Sequence, residues 1–389
     1  MHIFAKTHPG LGCRTSRRSW GTVHIGLTSA ATAAVLLAGG LAQPTLAAGN
    51  DETRVAWGYY YPNGNGGCEN GCFSNKGVAG ISHIGTGLYE IEASNFYVPG
   101  PSDLQISSQG FAGPANCVTS GWSFSDDYYL EAYVNCYDLS GNPADASFSF
   151  LYQSRDEPFG SADKGIAFLL ADQPTEASYT PNLDYQYNST SATNTMVRNG
   201  AGSYTASIPG LTKKGGNVQV TAYGNGPARC ATSGWSASQT GTSVNIFCFD
   251  STGAAADEKF TLAYTIGEPL GLFSGRRLGD SGAYAWANKA QRREKYAPPR
   301  AYNYDGFKTG SLSVKRAQTG VYSVSIPGNL NGPYAPAELV TADGASNDFC
   351  STGDISEFWN PFWVYCYDQN GNPADSKFSV LLQTEQITK

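Results

Sequence analysis

Three short segments of the chain carry two aspartates, a cysteine and a glycine at similar spacing, residue types that could bind a metal ion. They are CYDLSGNPAD (Cys136 to Asp145), CFDSTGAAAD (Cys248 to Asp257) and CYDQNGNPAD (Cys366 to Asp375). Calcium loops place oxygen ligands at alternate positions and end in a bidentate acid. The D-x-x-G pattern here is instead typical of a type I turn, with aspartate first and a left-handed glycine fourth. We therefore predict turns and no metal site, with a weak calcium site as the alternative.

Other residues that commonly perform catalysis are scarce. GDSG at Gly279 to Gly282 matches the nucleophile motif of trypsin-like proteases, but a triad also needs a histidine base. The one histidine after residue 48 is His83, which aligns with Arg198 and Arg316 in the other copies, so we interpret it as an exposed basic residue. The sequence has no HExxH motif, cysteine–histidine cluster or phosphate loop, and no cofactor is predicted. A catalytic carboxylate pair stays open, because such pairs leave no local spacing rule.

The first 48 residues have the pattern of a secretory signal peptide. Basic residues precede an apolar stretch from Ile25 to Leu41, and the small residues that follow predict cleavage near Ala47 or Ala48 and export from the cell. No later stretch approaches the roughly 20 apolar residues that span a bilayer, so no membrane insertion is expected. Removing four of the 25 basic residues and none of the 32 acidic ones leaves a net charge of −11. That charge argues against nucleic acid as a partner.

Aligning the chain with itself reveals three copies of a unit of about 100 residues, a common domain size. Each copy has a Gly-x-Tyr step, two cysteines and a closing strand such as FTLAY. The runs are short, alternate in polarity and lie between turn residues. They predict an all-β protein of three tandem antiparallel β-sandwich or barrel-like domains, arranged as beads on a string. The expected segments are a signal peptide at 1–48 and repeats at 55–155, 163–267 and 282–387.

Eight cysteines follow the signal segment, two in each aligned unit and two more near the start of the first. The paired cysteines of a unit are 16 to 19 residues apart, on strands expected to be neighbours. A bridge over such a loop stabilises a domain by about 3 kcal/mol. The extra pair has no histidine or third thiol nearby, so we expect a local bridge rather than a metal or redox site. The predicted disulfides are Cys68–Cys72, Cys117–Cys136, Cys230–Cys248 and Cys350–Cys366.

The unit resembles one found in uncharacterised secreted tandem β-repeat proteins of actinobacteria. Their pattern is G-x-Y-x-V-x-x-P-G, then V-x-V-T-A-Y-G, C-x-x-x-x-W, a second cysteine before an aromatic residue, and a closing strand. The middle repeat fits it best, with GSYTASIPGL, VQVTAYG and CATSGW. The resemblance covers nearly all of residues 55 to 387 and implies export and a tandem all-β build. It implies no activity and no functional residues.

Candidate ligand contacts lie where the three copies differ. The third copy places Phe358, Trp359 and Phe362 in or near a hairpin tip, where exposed aromatic rings are costly without a ligand. Arg292 and Arg293 belong to a basic segment, KAQRREK, of an otherwise acidic chain. These five residues are the predicted ligand contacts.

Threefold repetition of a small domain favours multivalent binding over a single catalytic cleft. We therefore predict a secreted, non-enzymatic binding protein of the cell envelope or of extracellular polysaccharide. Its expected partner is a polysaccharide, a cell-wall polymer or a secreted protein. Two alternatives stay open. One is an extracellular hydrolase with a carboxylate pair, and the other is a protease inhibitor that presents the turn between Cys68 and Cys72.

Overall fold

The computed structural model describes residues 53–62, 72–96, 100–110, 113–125, 128–155, 164–270, 280–307, 310–327, 336–353 and 361–385. Within these ranges the chain is all-β, and its helical elements are two 3-10 turns, Leu183–Tyr185 and Arg300–Tyr302. No helix in the described part is long and apolar enough to cross a membrane. The chain divides after Ala48, so every described residue belongs to its second unit, Gly49–Lys389.

Alternating sequences form strands with one buried face, as in LEAYVNCY, where buried and half-buried residues alternate. The first repeat forms β1 (Arg54–Tyr60), β2 (Phe73–Ser74), β3 (Ala79–Gly85), β4 (Leu88–Ala93), β5 (Ser102–Ser108), β6 (Asn116–Phe124), β7 (Leu130–Tyr137) and β8 (Phe148–Ser154). The second forms β9 (Gly165–Ala171), β10 (Ser178–Tyr179), β11 (Gln186–Asn188), β12 (Thr195–Gly200), β13 (Ser203–Pro209), β14 (Asn217–Tyr223), β15 (Arg229–Ala237), β16 (Gly241–Phe249) and β17 (Lys259–Ile266). The third forms β18 (Asp280–Ala287), β19 (Asn303–Asp305), β20 (Ser313–Gln318), β21 (Val321–Ser325), β22 (Ala337–Asp343), β23 (Phe349–Thr352), β24 (Phe362–Tyr367) and β25 (Lys377–Glu385).

Each repeat divides its strands between two sheets, and two of the four described sheets join neighbouring repeats. The order β11-β9-β17-β14-β6-β7-β4-β3 continues strands of the second repeat into strands of the first. The order β10-β12-β13-β16-β15-β22-β25-β18-β19 joins the second repeat to the third. The remaining sheets, β2-β1-β8-β5 and β20-β21-β24-β23, belong to the first and third repeats. Sheets are thus shared between repeats.

Three short parallel contacts close the repeats into a ring. They occur at equivalent positions, one between each pair of repeats, and the last of them joins the first repeat to the third. The expected beads-on-a-string arrangement is therefore corrected, because each repeat is hydrogen-bonded to both of the others. The bridging pairs are Tyr223 with Thr119, Asp343 with Thr232, and Gln109 with Thr352.

The equivalent strands β5, β14 and β22 contact one another at the centre of this ring. In each strand a backbone N–H donates to a buried hydroxyl of the next repeat, so the bonds form a closed cycle. Because both partners are buried, leaving either of them unpaired would cost about 1–3 kcal/mol. The donors and acceptors are Ile106 to Thr221 (2.9 Å), Val220 to Thr341 (2.9 Å) and Val340 to Ser107 (2.8 Å).

Four large hydrophobic clusters fill the described structure. Three of them lie between the two sheets of a single repeat and give each repeat a β-sandwich-like build. The fourth takes residues from all three repeats, among them Trp57, Phe168, Tyr284 and Leu381. Central strands are consequently buried on both faces, which explains why the sequence GIAFLLA of β9 is apolar throughout.

Three of the predicted disulfides are confirmed, one in each repeat. Each joins residues that lie directly opposite on neighbouring antiparallel strands. Cys72 is also disulfide-bonded, whereas Cys68, its predicted partner, lies outside the described residues. Disulfides of this number fit an extracellular protein. The confirmed pairs are Cys117–Cys136, Cys230–Cys248 and Cys350–Cys366.

Candidate functional site

The repeated aspartate motif forms the predicted turn in all three repeats. In the first, Asn142 donates its backbone N–H to Asp138 Oδ1 at 2.9 Å, and this bond is the main cause of a lowered pKa of the Asp138 carboxyl. Asp250 and Asp368 accept equivalent bonds. Gly141 has a φ of 83°, the left-handed conformation that favours glycine. Among the described residues, no group of three or more His, Cys, Asp or Glu is arranged to hold a metal ion.

The second aspartate of the motif ties the turn to the Gly-x-Tyr step. Asp257 Oδ1 accepts from the Gly202 backbone N–H at 2.9 Å and from the Tyr204 hydroxyl at 3.1 Å. Arg198 donates to both carboxylate oxygens, Nε to Oδ1 at 2.9 Å and Nη2 to Oδ2 at 2.7 Å. The hydrogen bonds from Arg198, Gly202 and Tyr204 lower the pKa of Asp257 to about 2. A Cβ at position 202 would collide with the Cys248 carbonyl oxygen, so the motif requires glycine there.

The first repeat has the same cluster with a histidine in place of the arginine. Asp145 Oδ1 accepts from the Gly87 N–H at 2.7 Å and contacts His83 Nε2 at 2.9 Å. The His83 side chain is 39% exposed, as predicted for a surface basic residue. In the third repeat, Asp375 accepts from Arg316 Nε at 2.7 Å. The three aspartates therefore stabilise the turn of their own repeat.

Replacing His83 by arginine is expected to raise the melting temperature. Arg198 donates two hydrogen bonds to the aspartate of its own repeat, whereas His83 makes one contact with Asp145 Oδ1, and paired bonds between arginine and a carboxylate are the stronger arrangement. Thermal unfolding of wild type and His83→Arg in the same buffer measures the difference. His83→Gln is the control, and it should show no gain, because a neutral amide forms no ion pair with Asp145. An equal gain in both variants would contradict the ion-pair interpretation.

A pocket of about 60 Å³ lies where the three central strands meet β6, β15 and β23. It is lined by equivalent residues of all three repeats, including one cysteine of each confirmed disulfide. The residue before that cysteine differs in each repeat: Asn116, Arg229 and Phe349. The pocket, termed the axial pocket below, is therefore lined by equivalent backbone segments of the three repeats. Of the three residues that precede the cysteines, one carries a positive charge.

Arg229 is only 6% exposed, and its Nε and Nη1 atoms are buried without a hydrogen-bond partner. Its guanidinium carbon lies 4.2 Å from the ring centroid of Phe349. Burial lowers the pKa of the Arg229 guanidinium from its ordinary value. Arg229 was not among the residues predicted from the sequence. The signal in the sequence is that the residue before the first cysteine differs in all three repeats, whereas the cysteine itself and the threonine two residues after it recur.

The outer sheet of the third repeat exposes an indole ring. Trp363 on β24 is 39% exposed and is paired with Ser323 of β21, which is paired in turn with Lys315 of β20. Tyr365 lies two residues further along the strand and therefore on the same face. On its other side Trp363 faces Gly353, whose N–H donates to the Trp363 carbonyl at 2.7 Å.

The equivalent positions of the other repeats are polar and hydrogen-bonded. A hydrogen bond with Glu90 is the largest cause of a raised pKa of Tyr133, and Thr205 donates its hydroxyl hydrogen to Asn245 Oδ1 at 3.0 Å. Trp363 therefore distinguishes the third repeat from its two relatives within the chain.

Only part of the predicted ligand segment in the third repeat can be placed. Phe358 and Trp359 lie outside the described residues. Phe362 is 6% exposed and belongs to the hydrophobic cluster of the third repeat. The alternation of β24 turns Phe362 inward and Trp363 outward, so Phe362 is corrected from a surface contact to a core residue, and Trp363 is the exposed aromatic residue of this strand.

The predicted basic contacts, Arg292 and Arg293, lie on the surface of the third repeat. Arg292 is positioned 5.5 Å from the ring centroid of Tyr296 and 3.9 Å from a carboxylate oxygen of Glu294. These contacts are solvent-exposed, and exposed ion pairs of this kind contribute at most about 1 kcal/mol. The two arginines remain predicted ligand contacts.

No protein-family model, curated protein or solved structure matches this chain. The resemblance to secreted actinobacterial repeat proteins therefore stays a prediction. Function has to be inferred from the residues themselves.

Proposed function

We propose that the protein is a secreted, non-enzymatic binding protein that attaches to polysaccharide of the cell envelope or its surroundings. In this proposal its three repeats act as tandem β-sandwich domains, and the outer sheet of the third repeat contacts the sugar. The observation that carries the proposal is the exposed indole of Trp363, at 39% exposure on a regular strand. Large exposed apolar side chains commonly mark binding sites when they cluster.

The surroundings of Trp363 suit a flat ligand. Its cross-strand neighbours are Ser323 and Gly353, which are both small residues. Tyr365 extends the aromatic face along the strand, and Lys315 supplies a charged donor at its edge. Aromatic rings combine a large apolar surface with few rotatable bonds. Because the sheet fixes the backbone, little conformational entropy is lost on binding.

The non-enzymatic part of the proposal is supported by how the repeated aspartates are used. Asp145, Asp257 and Asp375 each accept hydrogen bonds from a backbone N–H and from a tyrosine hydroxyl of their own repeat. Carboxylates engaged in this way stabilise the turn of their own repeat. The hydrolase with a carboxylate pair and the protease inhibitor stay the alternatives.

Trp363→Ala is expected to weaken retention on insoluble cell-envelope polysaccharide by about tenfold, the effect of losing one central aromatic contact. Tyr133→Ala, at the equivalent position of the first repeat, is the matched control and should retain wild-type binding. The melting temperature of both variants should stay near that of wild type, since neither ring is in the core. Equal losses for the two variants, or release of soluble sugars by the wild type, would contradict the proposal.

A further inference from the structure

Arg229 is buried at an energetic cost that its protein neighbours do not offset. A guanidinium stays charged, and taking a charge out of water without a hydrogen-bonded counter-charge costs several kcal/mol. The ring of Phe349 attracts the cation across 4.2 Å. An aromatic ring over the face of a guanidinium does not accept hydrogen bonds from the N–H groups along the guanidinium edge. Two of the Arg229 nitrogens on that edge, Nε and Nη1, are buried and have no hydrogen-bond partner.

The other polar residues of the axial pocket do not supply the missing acceptor. The Asn116 amide donates to the Ala228 carbonyl at 2.8 Å, and the Ser108 hydroxyl donates to the Ala115 carbonyl at 2.9 Å. Asp348 is the carboxylate among the lining residues, and its Oδ2 accepts from the Ser346 hydroxyl at 2.8 Å. Within the described part of the chain, no carboxylate forms an ion pair with Arg229 within 4.0 Å.

The pocket has room for a small anion. A water molecule needs roughly 10–15 Å³ of such space, so 60 Å³ corresponds to about four to six waters. A carboxylate or sulfate group fits this volume, and both can accept two parallel N–H bonds from one guanidinium edge.

We infer that the axial pocket binds one small oxyanion, a carboxylate or sulfate group, beside the guanidinium of Arg229. The stoichiometry is one for each chain, because the equivalent positions hold Asn116 and Phe349. The inference does not depend on Trp363, which lies on the outer face of a different sheet. The anion is either free in solution or carried by an acidic polymer.

Isothermal titration of the purified protein with sodium sulfate, at ionic strength held constant with sodium chloride, tests the inference. We expect one saturable site, and Arg229→Gln should weaken binding by at least about tenfold. Arg300→Gln, which removes an exposed arginine of the third repeat, should bind as wild type does. Asp348→Asn should bind sulfate more tightly, since a neighbouring negative charge is removed.

Competition by a soluble uronic-acid disaccharide would indicate a polymer-borne carboxylate, and sulfate binding without competition would indicate a free anion.

Three results would overturn the inference: no saturable binding, three sites for each chain, or equal loss in Arg229→Gln and Arg300→Gln. If Arg229 instead pairs with Asp348 in solution, Arg229→Gln and Asp348→Asn should lower the melting temperature alike and sulfate should not bind. Arg229→Gln could also fail to fold. In that case crystals of the wild type soaked in selenate decide the matter, because anomalous density must then appear beside Arg229 and nowhere equivalent.

Discussion

A chain that ends at residue 267 is expected to lose cooperative folding. The parallel contact between two repeats is called a seam below. The truncation removes β22, which pairs with β15 at the seam between the second and third repeats, and it leaves the Val220 N–H without the Thr341 hydroxyl. It also takes Leu339 and Leu381 out of the cluster that all three repeats share. Losing a buried leucine costs about 2–5 kcal/mol, and a whole domain is stable by only about 5–15 kcal/mol.

Thermal unfolding followed by circular dichroism checks this expectation. The chain from residue 49 to 389 should unfold in a single transition, whereas the truncated chain should show no sharp transition. Independent beads would behave differently, because two of them would survive the truncation with their melting temperatures unchanged. A sharp transition in the truncated chain would show that the ring is dispensable.

Replacing Asp257 by alanine is expected to destabilise the protein by about 3 kcal/mol or more. Hydrogen bonds to a charged group contribute about 1.5–3 kcal/mol each, and buried groups left unpaired add to the loss. The substitution removes the acceptor of the Gly202 N–H and of the hydroxyl of Tyr204, a residue that is 1% exposed. Urea unfolding measures the difference, and Asp184→Ala, at an exposed aspartate of the same repeat, should leave stability unchanged.

The same carboxyl predicts how stability depends on pH. The pKa of Asp257 is about 2 in the folded protein, below its ordinary value of about 3.9. Its contribution is therefore fully present above about pH 4 and is lost as pH falls toward 2. Asp257→Asn should flatten the decline of melting temperature over this range. A decline as steep as that of wild type would mean that other carboxyls control acid unfolding.

The strands, the turns and the disulfides within each repeat could be predicted because their signals are local. Period-2 alternation specifies a half-buried strand, and the aspartate of a turn bonds its own backbone a few residues away, as Asp138 does. Cysteines on adjacent antiparallel strands meet directly once the strands pair, as Cys230 and Cys248 do.

The ring could not be predicted in the same way. The strand pairing at each seam is a single bridged pair, such as Tyr223 with Thr119, and residues so far apart in sequence leave no spacing pattern. One clue was present: GIAFLLA of β9 is apolar throughout, and such a run indicates burial on both faces. An isolated bead would expose one of those faces to water.

The residues of the candidate site could likewise be predicted only in part. Aromatic residues near the tip of the third repeat could be expected to bind, but which one faces outward depends on the register of β24, which places Trp363 outside and Phe362 inside. Arg229 meets Phe349 only because the second and third repeats come together around the axial pocket, and no property of either sequence segment indicates that meeting.

Because the three seams are equivalent, a single repeat of this kind could in principle assemble as a cyclic homotrimer with the same centre. Such a trimer would place three copies of any given side chain around the axis. Three guanidinium groups around a pocket of 60 Å³ would repel one another strongly in a medium of low dielectric. Joining the repeats in one polypeptide removes that restriction. Covalent fusion thus allows one positive charge, with a neutral amide and an aromatic ring at the other two positions, to occupy the centre of an otherwise symmetric ring.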